Sequence, residues 1–217
     1  MNRANAATTA PTSPRVRNRR GEGARLRDDI VAAAVELLEE TGDESTVTLR
    51  SVARRVGIAA PSIYRHFPDQ PSIMLAVAQQ AFAELAAALR ATLDAAGDDP
   101  RGQLLAVCHG YLEFATDHPA RYRTMFGGLW MPDLSHASLT ESDVSSLGDA
   151  TMALLSGALG DCVTSGCATS TDLGADSVAL WLGLHGLAHQ RSVTVAYPWP
   201  PDIAERIIAS LAHLKGD

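Results

Sequence analysis

Residues 47–67 read Val47-Thr48-Leu49-Arg50-Ser51-Val52-Ala53-Arg54-Arg55-Val56-Gly57-Ile58-Ala59-Ala60-Pro61-Ser62-Ile63-Tyr64-Arg65-His66-Phe67. Val47, Leu49, Val52, Ala53, Val56 and Ile58 form one apolar face, so the stretch opens with a short helix that Thr48 can N-cap. Gly57 stops that helix, because glycine takes a positive φ without a Cβ penalty. A second short helix starts near Ala59, with Pro61 in its first turn, where a missing N–H costs little. It ends near Phe67-Pro68. Two short helices about a four-residue turn have helix-turn-helix spacing. Ala53 is small where the two helices cross closely, and Val52, Val56 and Ile63 can pack both on the preceding helix.

This packing turns Ala60, Ser62, Tyr64, Arg65 and His66 outward. Hydroxyls and cations on one face suit phosphates and base edges. Arg65 can pair bidentately with guanine O6 and N7, a contact contributing roughly 1–3 kcal/mol of base discrimination. Arg50 and Thr48, on the first helix and at its N-terminus, would meet phosphates. The plainer alternative is a three-helix bundle whose polar outer face is simply solvated.

Working outward, Leu26, Ile30, Ala33, Ala34, Leu37 and Leu38 recur at helical spacing and Thr41-Gly42 ends that helix. Residues 1–23 hold almost no large apolar side chains, and are expected to be a disordered basic arm carrying Arg15, Arg17, Arg19 and Arg20. Downstream, a long helix from Pro71 to about Ala96 carries the stripe Ala78, Phe82, Leu85, Leu89 and Leu93. Further helices follow from Asp99-Pro100 to about Asp117, from His118-Pro119 to Gly127-Gly128, from about Leu139 to Thr164, and over about 173–195 and 201–214. Residues 132–140 read as a loop and 165–172 as a polar linker. No convincing alternating strand pattern occurs. The expectation is an all-α chain with three parts: the arm at 1–23, a helix-turn-helix domain at 24–70 and a helical domain at 71–217.

Composition agrees with helices around a core: of 217 residues 46% are apolar, and only 5% are aromatic. Net charge is −7, but residues 1–67 carry 11 basic and 8 acidic side chains and the rest carry 7 and 17. A basic module attached to an acidic one is implied. Three cysteines at irregular spacing do not form a disulfide framework. With no run of 18 apolar residues and no apolar core in the first 24, a cytoplasmic protein without membrane contact is expected.

The pattern Thr48-Leu49-Arg50-x-Val52-Ala53-x-x-x-Gly57-Ile58-x-x-x-x-Ile63-Tyr64-x-His66-Phe67 resembles the DNA-binding domain of TetR-type repressors. The resemblance covers about residues 24–75. It implies that Tyr64 and His66 hold phosphates, that Ala60, Pro61, Ser62 and Arg65 face base edges, and that Arg50 and Thr48 also lie at the DNA. Two positions depart from the family. Ala59 stands where Ser or Thr is usual before the recognition helix, which removes a side-chain cap at about 1 kcal/mol. Gln70 stands where a Lys is usual.

Further on, His118-Pro119-Ala120-Arg121-Tyr122-Arg123-Thr124-Met125-Phe126 and Trp181-Leu182-Gly183-Leu184-His185-Gly186-Leu187-Ala188 resemble a TetR C-terminal subtype named for its Trp-His-Gly signature. That implies a ligand-binding and dimerisation module. Tyr111, Phe114, Tyr122, Phe126, Trp130, Trp181 and His185 are candidate walls of an apolar pocket, or else ordinary core. His185 and His189 are spaced i, i+4, but residue 186 is not the Glu of a zincin, so no metal site is assigned. Leu180, Leu184, Leu187, Ala188, Ile203, Ile207, Leu211 and Leu214, with Gly183 and Gly186, are candidates for a four-helix bundle between two copies.

The reading is a homodimeric transcriptional regulator, a repressor released from a double-stranded, palindromic operator by a small apolar or aromatic effector. It uses no cofactor and has no catalytic residues. Two other classes remain: a non-specific architectural DNA-binding protein, and an all-helical small-molecule enzyme, for which no Gly-x-Ser-x-Gly elbow or other catalytic constellation is present.

Overall fold

The computed structural model describes residues 22–127 and 137–216. These form α1 (Glu22–Thr41), a 3-10 turn (Glu44–Thr46), α2 (Leu49–Val56), α3 (Ala60–Ile63), α4 (Gln70–Ala95), α5 (Pro100–Asp117), α6 (Pro119–Phe126), α7 (Glu141–Ser145), α8 (Asp149–Ser165), α9 (Leu173–Val193) and α10 (Ile203–Leu211). Among the described residues the only β pairing is an isolated bridge between Ala168 and Leu214. The fold is all-α.

The first core gathers Ile30 and Ala34 of α1, Val47 and Val52 around α2, Ile63 of α3 and Phe67, all essentially inaccessible. Thr48 caps α2 by accepting from Ser51 N, and the Ser51 hydroxyl accepts from Thr48 N in return. Gly57 ends α2 at φ 77° and its neighbour Ile58 N reaches back to Ala53 O at 3.0 Å. Ala59 lies in the extended conformation of an N-cap but offers no side-chain bond to α3. The α-helix there is shorter than the sequence suggests. It stops at Ile63 and turns carry the chain to Phe67, because Pro68 disfavours helical geometry at the residue before it.

Asp69 caps α4 through a capping box with Ser72, so the helix begins at Gln70, one residue before the Pro71 start that the sequence suggests. This helix belongs to both cores. Ile73, Met74 and Val77 close the first, and Leu85 and Leu89 enter the second. Its apolar length would suffice to cross a membrane (mean hydropathy 1.5 over an 18-residue window), yet half of that window is buried inside the protein. It is a core helix.

Leu104, Val107, Leu159, Leu180, Leu184 and Ile208 fill the second core from α5, α8, α9 and α10. The single helix expected from Leu139 to Thr164 is in fact two. Thr140 caps α7 by accepting from Asp143 N, and Gly148 at φ 87° turns the chain before α8. Leu147, Thr151, Leu154, Ala158 and Cys162 keep helical spacing across that break, which hides it in the sequence. The last two helices are also shorter than expected, ending at Val193 and Leu211.

Within the last helix pair, Leu180, Leu184, Leu187, Ala188 and Ile208 are buried inside the chain. Gly183 serves the same interior: a Cβ there would collide with Leu211 and approach Ile207 Cγ2 to 2.9 Å, so it lets α10 lie against α9. These residues therefore serve the intrachain α9–α10 pair, and Gly186, nominated with them, does not. The large apolar groups left outside on α9 are Leu173, Val178, Leu182 and Val193, with Gly186 opening on free space.

Candidate functional site

α3 presents a mixed face to solvent. Pro61, Tyr64 and Arg65 are exposed, with Tyr64 retaining 52% of its surface, while Ala60, Ser62 and His66 are half-buried at its edges. Thr48 and Arg50 are exposed at the start of α2. Arg54 is exposed on the same helix and was missed by the motif reading, which followed only the residues quoted for the family. Arg55 is tied down instead: it donates to Glu40 at 2.8 Å and to Glu36 at 3.3 Å, stapling α2 to α1. Arg27 lies 4.8 Å over the Phe67 ring. Gln70 turns to the core side and donates from Nε2 to Glu44 O at 2.9 Å, so it pins the 3-10 turn. The arm arginines lie outside the described residues.

The helical domain holds a cavity of about 270 Å³. Phe82 of α4, Phe126 of α6, Met152 and Thr151 of α8, and Val178 and Trp181 of α9 line it, and the turn at Leu147-Gly148 closes one side. Of the seven residues expected at a pocket, Phe126 and Trp181 are in the wall. Tyr111, Tyr122 and His185 form a layer behind it. Phe126 is the hinge of the two groups, with ring centroids 4.8 Å from His185, 5.0 Å from Tyr122 and 6.2 Å from Trp181. Phe114 is elsewhere, packed on His118 at 4.8 Å in the core. Trp130 lies outside the described residues. Phe82, Leu147, Thr151, Met152 and Val178 were not nominated, since a cavity wall and a core demand the same apolar residues.

Behind the wall, the Tyr122 hydroxyl lies 2.6 Å from His185 Nδ1 and 3.3 Å from the Tyr111 hydroxyl. Burial, and then His189, hold His185 below the ordinary imidazole range. A neutral ring accepts at Nδ1 from Tyr122 and keeps its proton on Nε2. Burial pushes both tyrosines up, so they remain hydroxyl donors. Burial likewise pushes the Cys108 thiol up to about 12, which leaves it an unreactive core group. Among the described residues no group of three or more His, Cys, Asp or Glu could hold a metal ion.

Two polar tethers join this region to the helix-turn-helix. Arg121 neighbours Tyr122 on α6. It donates from Nε to Glu84 of α4 and from a terminal nitrogen to Glu39 of α1, both at 2.7 Å. Asp69, the cap of α4, accepts from Ser138 N at 2.8 Å and from the Ser138 hydroxyl at 3.1 Å. Burial alone would raise the Asp69 carboxyl, but the donors of Ser138 and Ser72 outweigh it and hold the group below its ordinary range.

A helix-turn-helix head whose first helix is ion-paired to a cavity-bearing helical domain defines a class of DNA-binding regulators. Comparison with known proteins gives the family. Residues 104–214 match the tetracyclin repressor-like C-terminal domain and residues 30–77 match the bacterial regulatory proteins of the tetR family. The chain belongs to the TetR family of bacterial regulatory proteins.

Among curated relatives, the HTH-type transcriptional regulator BetI of Stenotrophomonas maltophilia is 29% identical over 84 residues, 39% of this chain and 42% of that protein. The nucleoid occlusion factor SlmA of Vibrio campbellii is 27% identical over 101 residues, 46% and 51% of the two chains. The chain thus spans about half the length of the curated relatives it matches. Among solved structures, a protein of unknown function from Rhodococcus sp. RHA1 superposes with a TM-score of 0.68 at 25% identity, covering 86% of this chain and 91% of that one. A TetR family transcription regulator from Marinobacter aquaeolei gives 0.60 at 15% identity over 89% and 97%, a likeness of fold.

Proposed function

We propose that the protein is a cytoplasmic, homodimeric repressor that leaves a palindromic operator when a small apolar or aromatic effector occupies the α4–α6–α8–α9 cavity. Thr48, Arg50, Tyr64 and His66 would hold phosphates, while Ala60, Pro61, Ser62 and Arg65 would face base edges. In this reading the head spans 24–70, the effector and dimer domain spans 71–217, and the latter is of the Trp-His-Gly subtype through Trp181, His185 and Gly186. No cofactor takes part.

The observation that carries the reading is the Arg121 tether. The α6 helix that supplies Phe126 to the cavity also grips Glu39 of the head. A ligand that displaces Phe126 therefore has a direct route to α1. Release of DNA requires that the ligand prefer the displaced arrangement, since a ligand indifferent to the two states shifts nothing. A coupling of about 1–3 kcal/mol gives a 5–150-fold change in operator affinity.

Selection of bound sequences from random duplex DNA at near-physiological salt tests the reading, with Arg65→Ala as control. A palindromic consensus, with preference relaxed at one base position in the variant, is expected. Salt-sensitive binding without a consensus would instead establish an architectural protein held by the phosphate term alone.

A further inference from the structure

A second hollow of about 200 Å³ adjoins the apolar cavity and shares Phe82, Leu147, Gly148 and Thr151 with it. The groups it adds are Gln79 and Ala83 of α4, Ser146 of the α7–α8 turn, and Asp149 and Ala150 of α8, so three of the five are polar. The site therefore has an apolar inner lobe and a polar outer lobe, and the two volumes together fall within the roughly 300–1,000 Å³ of small-molecule sites. Gly148 sets the neck between them, because a Cβ there would stand 3.1 Å from Phe82 Cε1.

We propose that this site takes an amphiphile whose apolar body fills the inner lobe and whose polar end donates hydrogen bonds in the outer lobe and carries no negative charge. The inference rests on reading the cavity as the effector site, and it adds the chemical class.

Three observations support it. No described side chain of the inner lobe is charged. Thr151 stands in the wall that the two lobes share, is only 5% exposed, and its Oγ1 is a buried polar atom with no hydrogen-bond partner among the described residues. The outer lobe offers acceptors on Gln79, Ser146 and the Asp149 carboxylate, and none of the seven Lys and Arg residues after position 67 lines either lobe. The connecting sequence 128–136 adds no Lys or Arg either. An anionic end would lose water beside the Asp149 carboxylate, which already sits at the N-terminus of α8, and no Lys or Arg among the described lining residues would replace it.

Calorimetric titration of the full chain at pH 7 with octylamine, 1-octanol and octanoate, each below its micelle concentration, tests this. Octylamine and octanol are expected to bind saturably and octanoate on the order of tenfold more weakly than octylamine. Asp149→Asn should narrow that gap, and Met152→Trp, which fills the inner lobe, should abolish binding of all three. Octanoate binding as tightly as octylamine would overturn the head-group inference and leave the effector site standing. No saturable binding, or binding indifferent to Met152→Trp, would overturn the effector site as well.

Discussion

At the scale of single residues, His185 is the group most open to solution conditions. Its half-buried ring loses part of its hydration and lies near His189, so its folded pKa lies below the ordinary 6.5. The unfolded chain then binds a proton that the folded chain refuses. Stability from this residue is complete above about pH 6.5 and is lost as pH falls from there towards the lowered value. Chemical denaturation at pH 7.5, 6.5 and 5.5 should show a decline that His185→Asn largely removes. A variant that declines as steeply as the parent would place the loss on other groups.

Ala59 allows a second prediction at this scale. It already has extended N-cap geometry (φ −67°, ψ 133°) and only the side-chain acceptor is missing. Ala59→Ser should raise the stability of the head by about 1 kcal/mol, read as a higher denaturation midpoint. Both the turn glycine at 57 and the absent cap at 59 were legible in the sequence, because each is decided within a few residues. The rank of Tyr111 and Tyr122 was not. A buried tyrosine with a hydrogen-bond partner and a tyrosine facing a ligand have the same sequence signature, and only the placement of α6 against α9 separates them.

At the scale of elements, α6 is short but reaches each part that the proposed effector response would use. Pro119 starts it, Arg121 reaches α1 and α4, Tyr122 backs the cavity wall, and Phe126 lines it. The ion pairs are partly exposed, with Arg121 at 24% and Glu39 at 44%, so their worth to folding is small. Their part in the proposed effector response is geometric. Arg121→Ala should leave effector affinity nearly unchanged while the effector's influence on operator binding falls towards none. Band-shift titrations with and without effector read this directly. Full response in the variant would assign coupling to the Asp69–Ser138 tether or to α4 itself. The α7–α8 break shows why this element scale is harder to read from sequence. The apolar stripe passes through Gly148 in register, so periodicity reports one helix where a positive-φ glycine makes two, and the cavity mouth lies at that break.

At the scale of the whole molecule, the issue is which face of α9 would meet a second copy in the proposed dimer. Helical periodicity correctly found an apolar α9 and α10, but it could not say which apolar residues face inward. The chain uses Leu180, Leu184 and Gly183 for its own core and leaves Val178 (47% exposed), Leu182 (54%) and Val193 on the far side, with the Cβ-free Gly186 between them. A twofold contact through this stripe would place Gly186 where two α9 helices cross most closely, and a glycine there permits a short interaxial distance. Two different outcomes are therefore expected from neighbouring leucines. Leu182→Glu puts charges opposite each other across the axis, and should yield a folded monomer by sedimentation that loses tight operator binding, because one head reaches only one half-site. Leu180→Ala opens a cavity inside the chain, and should lower stability by about 2–5 kcal/mol without changing the sedimentation of the folded fraction. A dimer that survives Leu182→Glu would move the interface off α9. Val178 belongs to this stripe and also lines the cavity, so a dimer formed here would cover part of the cavity's rim with a second chain. Effector affinity should then rise or fall with dimerisation, and the Leu182→Glu monomer should bind the effector with altered affinity although Leu182 does not line the site.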